Sequence, residues 1–331
     1  VLQLDADHAP LPHILDRLLG HFEDDKVAFV QSPQDFYNFD SFTHVVDEKG
    51  RRVWEEQRLF FSIIQPGKDH WNAAFFCGTG AVLRREALLP HGGIKTDTIT
   101  EDLHTSIELH AAGWKSVYLN EVLVTGLAPM DLRTFETQRL RWAEGNLQVA
   151  TFINPLTAPG LSLHQRISYV ASLYHWTIGL PKLVFYLAPP WILFTGTFPI
   201  ANYDASFLKL YLAFLAMLIA SYHLASRGKG RLLLDELFNM VSFFTLIRAL
   251  KRVIFGRGRQ ARFVVTDKRG SGGRDARPIL PHAMLVSFSL LAMTWSALGL
   301  GFGVTDDRFG AGTAMFWTLY NLTLLLIVIR L

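Results

Sequence analysis

A single cysteine, Cys77, stands among 331 residues, so no internal disulfide can form, as expected for a reducing compartment. Charge is also scarce. Asp, Glu, Lys and Arg make up 18% of the chain, below the roughly one quarter usual for soluble domains. The formal net charge is only +3, too small a surplus to argue for a nucleic-acid partner. The start carries no Met, no basic segment and no signal peptide. Val1-Leu2-Gln3-Leu4 reads as a strand running straight into Asp5, and Leu322 to Leu331 is still apolar. A fragment without its upstream part is therefore expected.

What the chain has instead is apolar surface. Half of it is hydrophobic and 13% is aromatic, with a mean hydropathy of +0.21. The length allows about two domains. Acidic residues crowd the first half, and long uncharged runs fill the second.

Residues 1 to about 152 alternate short apolar runs with helical stretches. Val1–Leu4, Val27–Gln31 and Lys115–Leu119 read as strands, and Ala74–Arg84 as a mixed strand and turn. Leu11–Phe22 and Leu132–Thr151 have helical spacing. Thr100 is placed to cap a helix over Glu101–Ala112, which Gly113 stops. This alternation predicts an α/β domain with a mostly parallel sheet.

Asp5 and Asp7 stand two apart at a strand end and share one face if the strand persists. Such paired hard oxygens suit Mg²⁺ or Mn²⁺. Alone, the pattern reads first as a solvated turn. Glu101 and Asp102 read equally as ordinary first-turn acids or as a positioned proton acceptor. Gln138, Arg141 and Trp142 recur at i, i+3 and i+4, so they share a helix face. Arg pairs with diphosphate and Trp stacks on a sugar ring, although an amphipathic helix with one buried Trp spells the same pattern. Phe75-Phe76-Cys77-Gly78-Thr79 reads as a buried strand or as a floor beneath an acceptor.

In the second half, stretches 178–198, 207–224, 280–304 and 314–331 each approach the ~20 residues that span hydrocarbon. Segments 161–176 and 232–255 are amphipathic and suit helices lying in the interface. Lys and Arg concentrate between Ser226 and Arg277 and are missing between Gly196 and Ser206. The first half and the long basic connection are therefore expected on the cytoplasmic side. That connection holds Gly256-Arg257-Gly258-Arg259 and then Phe263-Val264-Val265-Thr266-Asp267-Lys268, which also reads as a basic loop on anionic lipid.

In this order, Asp5-Ala6-Asp7, the Phe75–Thr79 run, Thr100-Glu101-Asp102, Gln138-Arg139-Leu140-Arg141-Trp142 and the Phe263–Lys268 run resemble bacterial cellulose synthase catalytic subunits. These are processive, inverting family 2 glycosyltransferases. The resemblance covers nearly the whole chain. It implies the C-terminal part of an α/β glycosyltransferase A-type (nucleotide-diphospho-sugar transferase) domain over 1–152. An α-helical membrane channel domain would follow over 153–331, with about four transmembrane helices, interfacial amphipathic helices and a gating loop at about 256–273. It implies Asp102 as general base, and Asp5 and Asp7 on the metal and UDP. Gln138 and Arg141 would meet the diphosphate, with Phe263, Thr266 and Lys268 in the gating loop. Cys77, Glu101 and Trp142 would hold the acceptor, and Trp176 would line the channel. The implied cofactor is Mg²⁺ or Mn²⁺. The implied partners are UDP-glucose, the growing glucan chain and the lipid bilayer, with room for a periplasmic accessory subunit. The implied place is the bacterial inner membrane. Synthases of curdlan, mixed-linkage glucan or hyaluronan share the core motifs, and a transporter with a soluble accessory domain is the non-enzymatic alternative.

Overall fold

A computed structural model describes residues 1–197, 205–256, 277–299 and 308–330. Phe263, Thr266 and Lys268, with nearly all of the expected gating loop, lie outside the described residues. The chain divides into two compact units. One is Val1–Thr177 with the described part of Thr245–Gly272, and the other is Ile178–Phe244 with the described parts of Gly273–Leu331.

In the first unit, strands β1 (Leu2–Gln3), β2 (Ala9–Pro10), β3 (Val27–Gln31), β4 (Gln34–Phe36), β5 (His44–Val46), β6 (Arg52–Glu55), β7 (Ala81–Leu83), β8 (Lys115–Tyr118) and β9 (Val124–Gly126) alternate with helices. The helices are α1 (Ile14–Leu18), α2 (Gln65–Asp69), α3 (Arg85–Leu88), α4 (Glu101–Ala111), α5 (Leu132–Phe152) and α6 (Leu163–His175). A four-stranded sheet has the order β1-β7-β3-β8, a three-stranded sheet the order β2-β9-β4, and β5 pairs with β6.

The α/β character is as expected, but the main sheet is mixed rather than mostly parallel. Only β3 and β8 are parallel neighbours in it, because β7 lies antiparallel between β1 and β3. The cause is local. Gly78 and Gly80 adopt φ of 81° and 68°, turning the chain back at the carboxyl ends of β1 and β3 so that β7 runs the other way. β1, β3 and β8 still point in one direction.

β3 is buried throughout and feeds two cores, which is why its sequence is a continuous apolar run. Ala28 and Phe29 pack with Phe76, Leu83 and Leu109, whereas Val27 and Val30 pack with Ile14, Leu18 and Leu123. The helix expected over Leu11–Phe22 is α-helical only over α1 and continues as a 3₁₀ turn through Leu19–Glu23. Gly113 closes α4 at φ 87° as expected. Thr100 occupies the N-cap position of α4, but its side chain makes no capping bond. It is packed against Gly145 instead. α5 begins with a capping box that was not foreseen: Thr134 N–H donates to Asp131 Oδ1 at 2.8 Å, and the Thr134 hydroxyl lies 3.3 Å from Asp131 N–H.

The remaining helices are α7 (Gly179–Thr195), α8 (Ala205–Ser226), α9 (Leu232–Phe255), α10 (Leu280–Ala297) and α11 (Arg308–Arg330). Among the described residues, Ser206–Ser226, Leu280–Ala297 and Gly310–Arg330 are long and apolar enough to cross a membrane. The stretch expected over 178–198 does not qualify alone. It is the shorter α7 and counts only if joined to α6 as one broken segment. Pro181 has no N–H for the carbonyl of Thr177, so the helix restarts there instead of running on.

α7 contains Pro189 and Pro190 in its interior. Pro189 cannot donate to the carbonyl of Phe185, four residues earlier. Asn321 of α11 fills that place, its Nδ2 donating to Phe185 O at 3.1 Å. Among the described residues α7, α10 and α11 bury small side chains where they meet, with Ala292 and Ala314 against Leu193. Asn321→Leu should therefore destabilise the protein in detergent by roughly 0.5–1.7 kcal/mol. In a Pro189→Ala background the loss should shrink, because the alanine restores a backbone N–H that can donate to Phe185 O. Equal losses in the two backgrounds would refute the exchange of donors.

Candidate active site

The carboxylates of Asp5 and Asp7 do not leave a strand. β1 stops at Gln3, and His8 N–H donates to Asp5 O at 3.0 Å, closing a turn. That turn brings ligand atoms of Asp5, Asp7 and His8 within 4.8 Å of one another. His8 was not read as a site residue, although it directly follows the acidic pair. Its Nδ1 lies 3.2 Å from Asp7 Oδ1 and its side chain is 2% exposed. The ring fits because residue 126 is Gly: a Cβ there would come within 2.5 Å of His8 Nε2.

The run Phe75–Thr79 forms a strap across the carboxyl ends of β1 and β3. It is tied on three sides. Asp5 N–H donates to Thr79 Oγ1 at 3.0 Å. Gln31 clamps the strap with both ends of its amide, accepting from Cys77 N–H at 2.9 Å and donating to Thr79 O at 2.8 Å. Ser106 of α4 accepts from Phe76 N–H at 2.8 Å and donates to Asp102 O at 2.8 Å. Gln31 and Ser106 were missed in the sequence. The one visible signal is a polar residue ending the apolar run of β3. The Cys77 side chain packs against the buried cluster of Phe61, Ala74 and Tyr118, and Gln65 Nε2 donates to its sulfur at 3.0 Å. Burial, then the charge of Asp102, pushes the thiol well above its ordinary value, so it is a neutral group.

The strap brings Gly78 to Asp102. A Cβ on Gly78, which has φ 81°, would sit 3.5 Å from Asp102 Oδ2. Burial raises the Asp102 carboxyl to about 7, with further upward pressure from Glu101 and Asp5 against the Leu103 N–H that Oδ1 accepts. Burial also raises Glu101, again with Asp5 adding to it and Arg141 opposing. Arg141 arrives from α5. Burial lowers its guanidinium, and the four carboxylates of Asp5, Glu101, Asp102 and Asp7 pull it back up. Three motifs far apart in sequence thus act on one spot. A carboxyl near 7 beside a cation and a hard-ligand cluster can accept a proton.

On the same helix, Gln138 is buried and its Oε1 has no hydrogen-bond partner among the described residues. Trp142 is half-buried, with the Arg139 guanidinium 4.9 Å from its ring centroid. Arg139 also pairs with Glu56, a contact not foreseen from sequence. Trp176 caps the C-terminus of α6 and meets His175 edge to face at 5.0 Å. The charges of Arg139 and Lys68 both reach His175, so the end of α6 lies on their side of the unit.

Residues 1–224 match the family described as Glycosyl transferase family group 2. The cellulose synthase catalytic subunit (UDP-forming) of Pseudomonas fluorescens strain SBW25 is 37% identical over 333 residues, covering 96% of this chain and 43% of that protein. Cellulose synthase 2 of Novacetimonas hansenii is 34% identical over 300 residues, covering 88% of this chain and 18% of that protein. The chain therefore spans less than half the length of these relatives. A solved mannosyltransferase from Pyrobaculum calidifontis, in complex with GDP-Man and Mn²⁺, superposes with a TM-score of 0.47 at 16% identity, over 77% of this chain and 62% of that one.

The approach of α5 to Thr100 depends on Gly145, where a Cβ would meet Thr100 Cγ2 at 2.6 Å and Ile99 Cγ1 at 2.8 Å. Gly145→Ala gains about 1 kcal/mol of helix propensity but forces α5 from the Thr100–Asp102 segment, an overpacking loss of about 1–3 kcal/mol. The net expectation is a lower melting temperature. A stabilised variant would show that the contact yields freely.

Proposed function

The chain belongs to glycosyl transferase family group 2, and on that premise we propose that it carries the catalytic and channel segments of a processive, inverting glycosyltransferase. It would polymerise glucose from UDP-glucose into β-1,4-glucan, cellulose, and move the polymer across the bacterial inner membrane. The observation that carries this reading is the gathering of Asp5, Asp7, Glu101 and Asp102 around Arg141.

Transfer with inversion is one displacement. The acceptor 4-hydroxyl oxygen bonds to the anomeric carbon as the bond to the diphosphate breaks, and the hydroxyl proton goes to Asp102. A carboxyl near pH 7 is well matched to that task. The carboxylates of Asp5 and Asp7 fit a hard divalent cation such as Mg²⁺ or Mn²⁺, and the nitrogen of His8 beside them favours Mn²⁺ over Mg²⁺. When bound, the ion supplies positive charge against the leaving diphosphate. Arg141 adds a second cation there, and Gln138 an amide. Glu101 and Cys77 line the acceptor end, and Trp142 offers its ring to the terminal sugar. Phe263, Thr266 and Lys268 would belong to a gating loop that excludes water from the nucleotide. Trp176 would line the channel. A periplasmic accessory subunit would receive the emerging chain. The basic connection around Arg257 and the catalytic unit face the cytoplasm.

Product linkage analysis from labelled UDP-glucose, with full-length protein in membranes, tests the reading directly; a linkage other than β-1,4 would reject cellulose. Asp102→Asn should reduce polymer synthesis by about 10²- to 10⁴-fold while UDP binding survives. In the wild type the rate should rise with pH as Asp102 ionises, with an apparent pKa at or below 7, since a cation at Asp5 and Asp7 favours the carboxylate. Near-normal output from Asp102→Asn would remove it as the base. Asp7→Ala should abolish Mn²⁺-dependent UDP binding measured by calorimetry, and unchanged affinity would reduce the acidic pair to a turn.

A further inference from the structure

The Arg139 guanidinium lies between groups that differ in kind. It pairs with the Glu56 carboxylate, and it sits 5.0 Å from the Phe135 ring centroid and 4.9 Å from that of Trp142. The pair is largely out of water, with side-chain exposures of 9% for Arg139 and 17% for Glu56. Glu56 is itself fixed. It follows β6, and its N–H donates to Thr43 O at 3.1 Å, anchoring it to the β5–β6 hairpin. Phe135 is held from that side too, 5.3 Å from the Phe42 ring.

A desolvated ion pair is weak support for stability, since apolar side chains of the same volume serve as well. Its distinctive property is direction. A guanidinium held by a carboxylate cannot slide along the face of a ring it covers, and it occupies that face. The opposite face of Trp142 is then the one left to a sugar. We propose that Glu56 and Arg139 form a positioning pair that sets the orientation of the Trp142 ring, and so decides which ring face the acceptor sugar meets. This rests on the reading of Trp142 as the acceptor platform. Neither residue touches the reacting atoms. Glu56 acts through Arg139, and Arg139 through the ring. The pair links the β5–β6 hairpin to the acceptor end, 83 residues apart in sequence.

The test uses full-length protein labelled with 5-fluorotryptophan, the Trp142 ¹⁹F resonance being identified by its loss in Trp142→Phe. Glu56→Gln and Arg139→Gln should each shift that resonance. Both should lower the polymerisation kcat by about tenfold to a hundredfold while KM for UDP-glucose stays within about twofold, because misplacing one reactant affects the reaction more than binding of the other. Glu56→Asp, which keeps the charge, should restore part of the rate. If synthesis falls but the resonance does not move, the pair does not position Trp142, and the acceptor role of Trp142 stands. If the resonance moves and synthesis is unimpaired, Trp142 is not the platform, and the inference falls with that reading. Should the glutamine variants fail to fold, Glu56→Asp and Arg139→Lys read the same resonance, and no shift in either would overturn the proposal.

Discussion

Like charges gathered in one place repel, and this site gathers Asp5, Asp7, Glu101 and Asp102 within reach of a single guanidinium. At an effective dielectric of ~20, two like charges ~4 Å apart oppose each other by about 4 kcal/mol. The arrangement survives by two means. Asp102 gives way by holding its proton up to about pH 7. Arg141 brings opposite charge from a separate helix, so the position of α5 is decisive. Its N-terminus is fixed by the Asp131–Thr134 capping box, and its middle by the contact of Gly145 with Thr100. The electrostatics therefore depend on where one helix starts and how closely it can approach another.

Close approach is obtained by omitting side chains. Gly126 admits the His8 ring and Gly145 admits Thr100, whereas Gly78 beside Asp102 is set by its φ of 81°. Buried amide and hydroxyl groups then lock what the glycines allow. Gln31 and Ser106 bind the backbone of the strap from β3 and from α4, so strap, strand and helix form one hydrogen-bonded assembly. Removing one partner from such a network leaves a buried donor or acceptor unmatched, at about 1–3 kcal/mol. This rigidity holds the Asp102 carboxyl and the Asp5, Asp7 and His8 cluster in register.

The helical unit answers a different constraint. Backbone groups in an apolar medium must find partners within the protein. Two prolines break the ladder of α7, and the amide of Asn321 supplies a replacement donor at Phe185. Charge is treated likewise, with Lys182 of α7 paired to Glu236 of α9 and the Tyr186 hydroxyl 3.3 Å from the same carboxylate. His282 of α10 is fully buried and lies 2.9 Å from Met240 O.

Sequence alone determined what is encoded locally. Periodicity over many residues places α9 at Leu232–Phe255 and α5 within a residue of its observed end, because a helix repeats its signal every turn. The acidic pair, the Thr100–Asp102 segment and the Gln138–Trp142 run were legible as candidates because their chemistry lies in adjacent letters. Tertiary structure decided the rest. The direction of β7 follows from two glycines at positive φ, which no apolar pattern reveals. His8 becomes a ligand candidate only when the chain turns after Gln3, and Gln31 a clamp only when the strap crosses the sheet. Glu56 finds Arg139 only once hairpin and helix have packed. Each of these is a pairing between distant segments or a backbone turn. A one-dimensional pattern reports which face of an element is apolar, but not which other element will cover it.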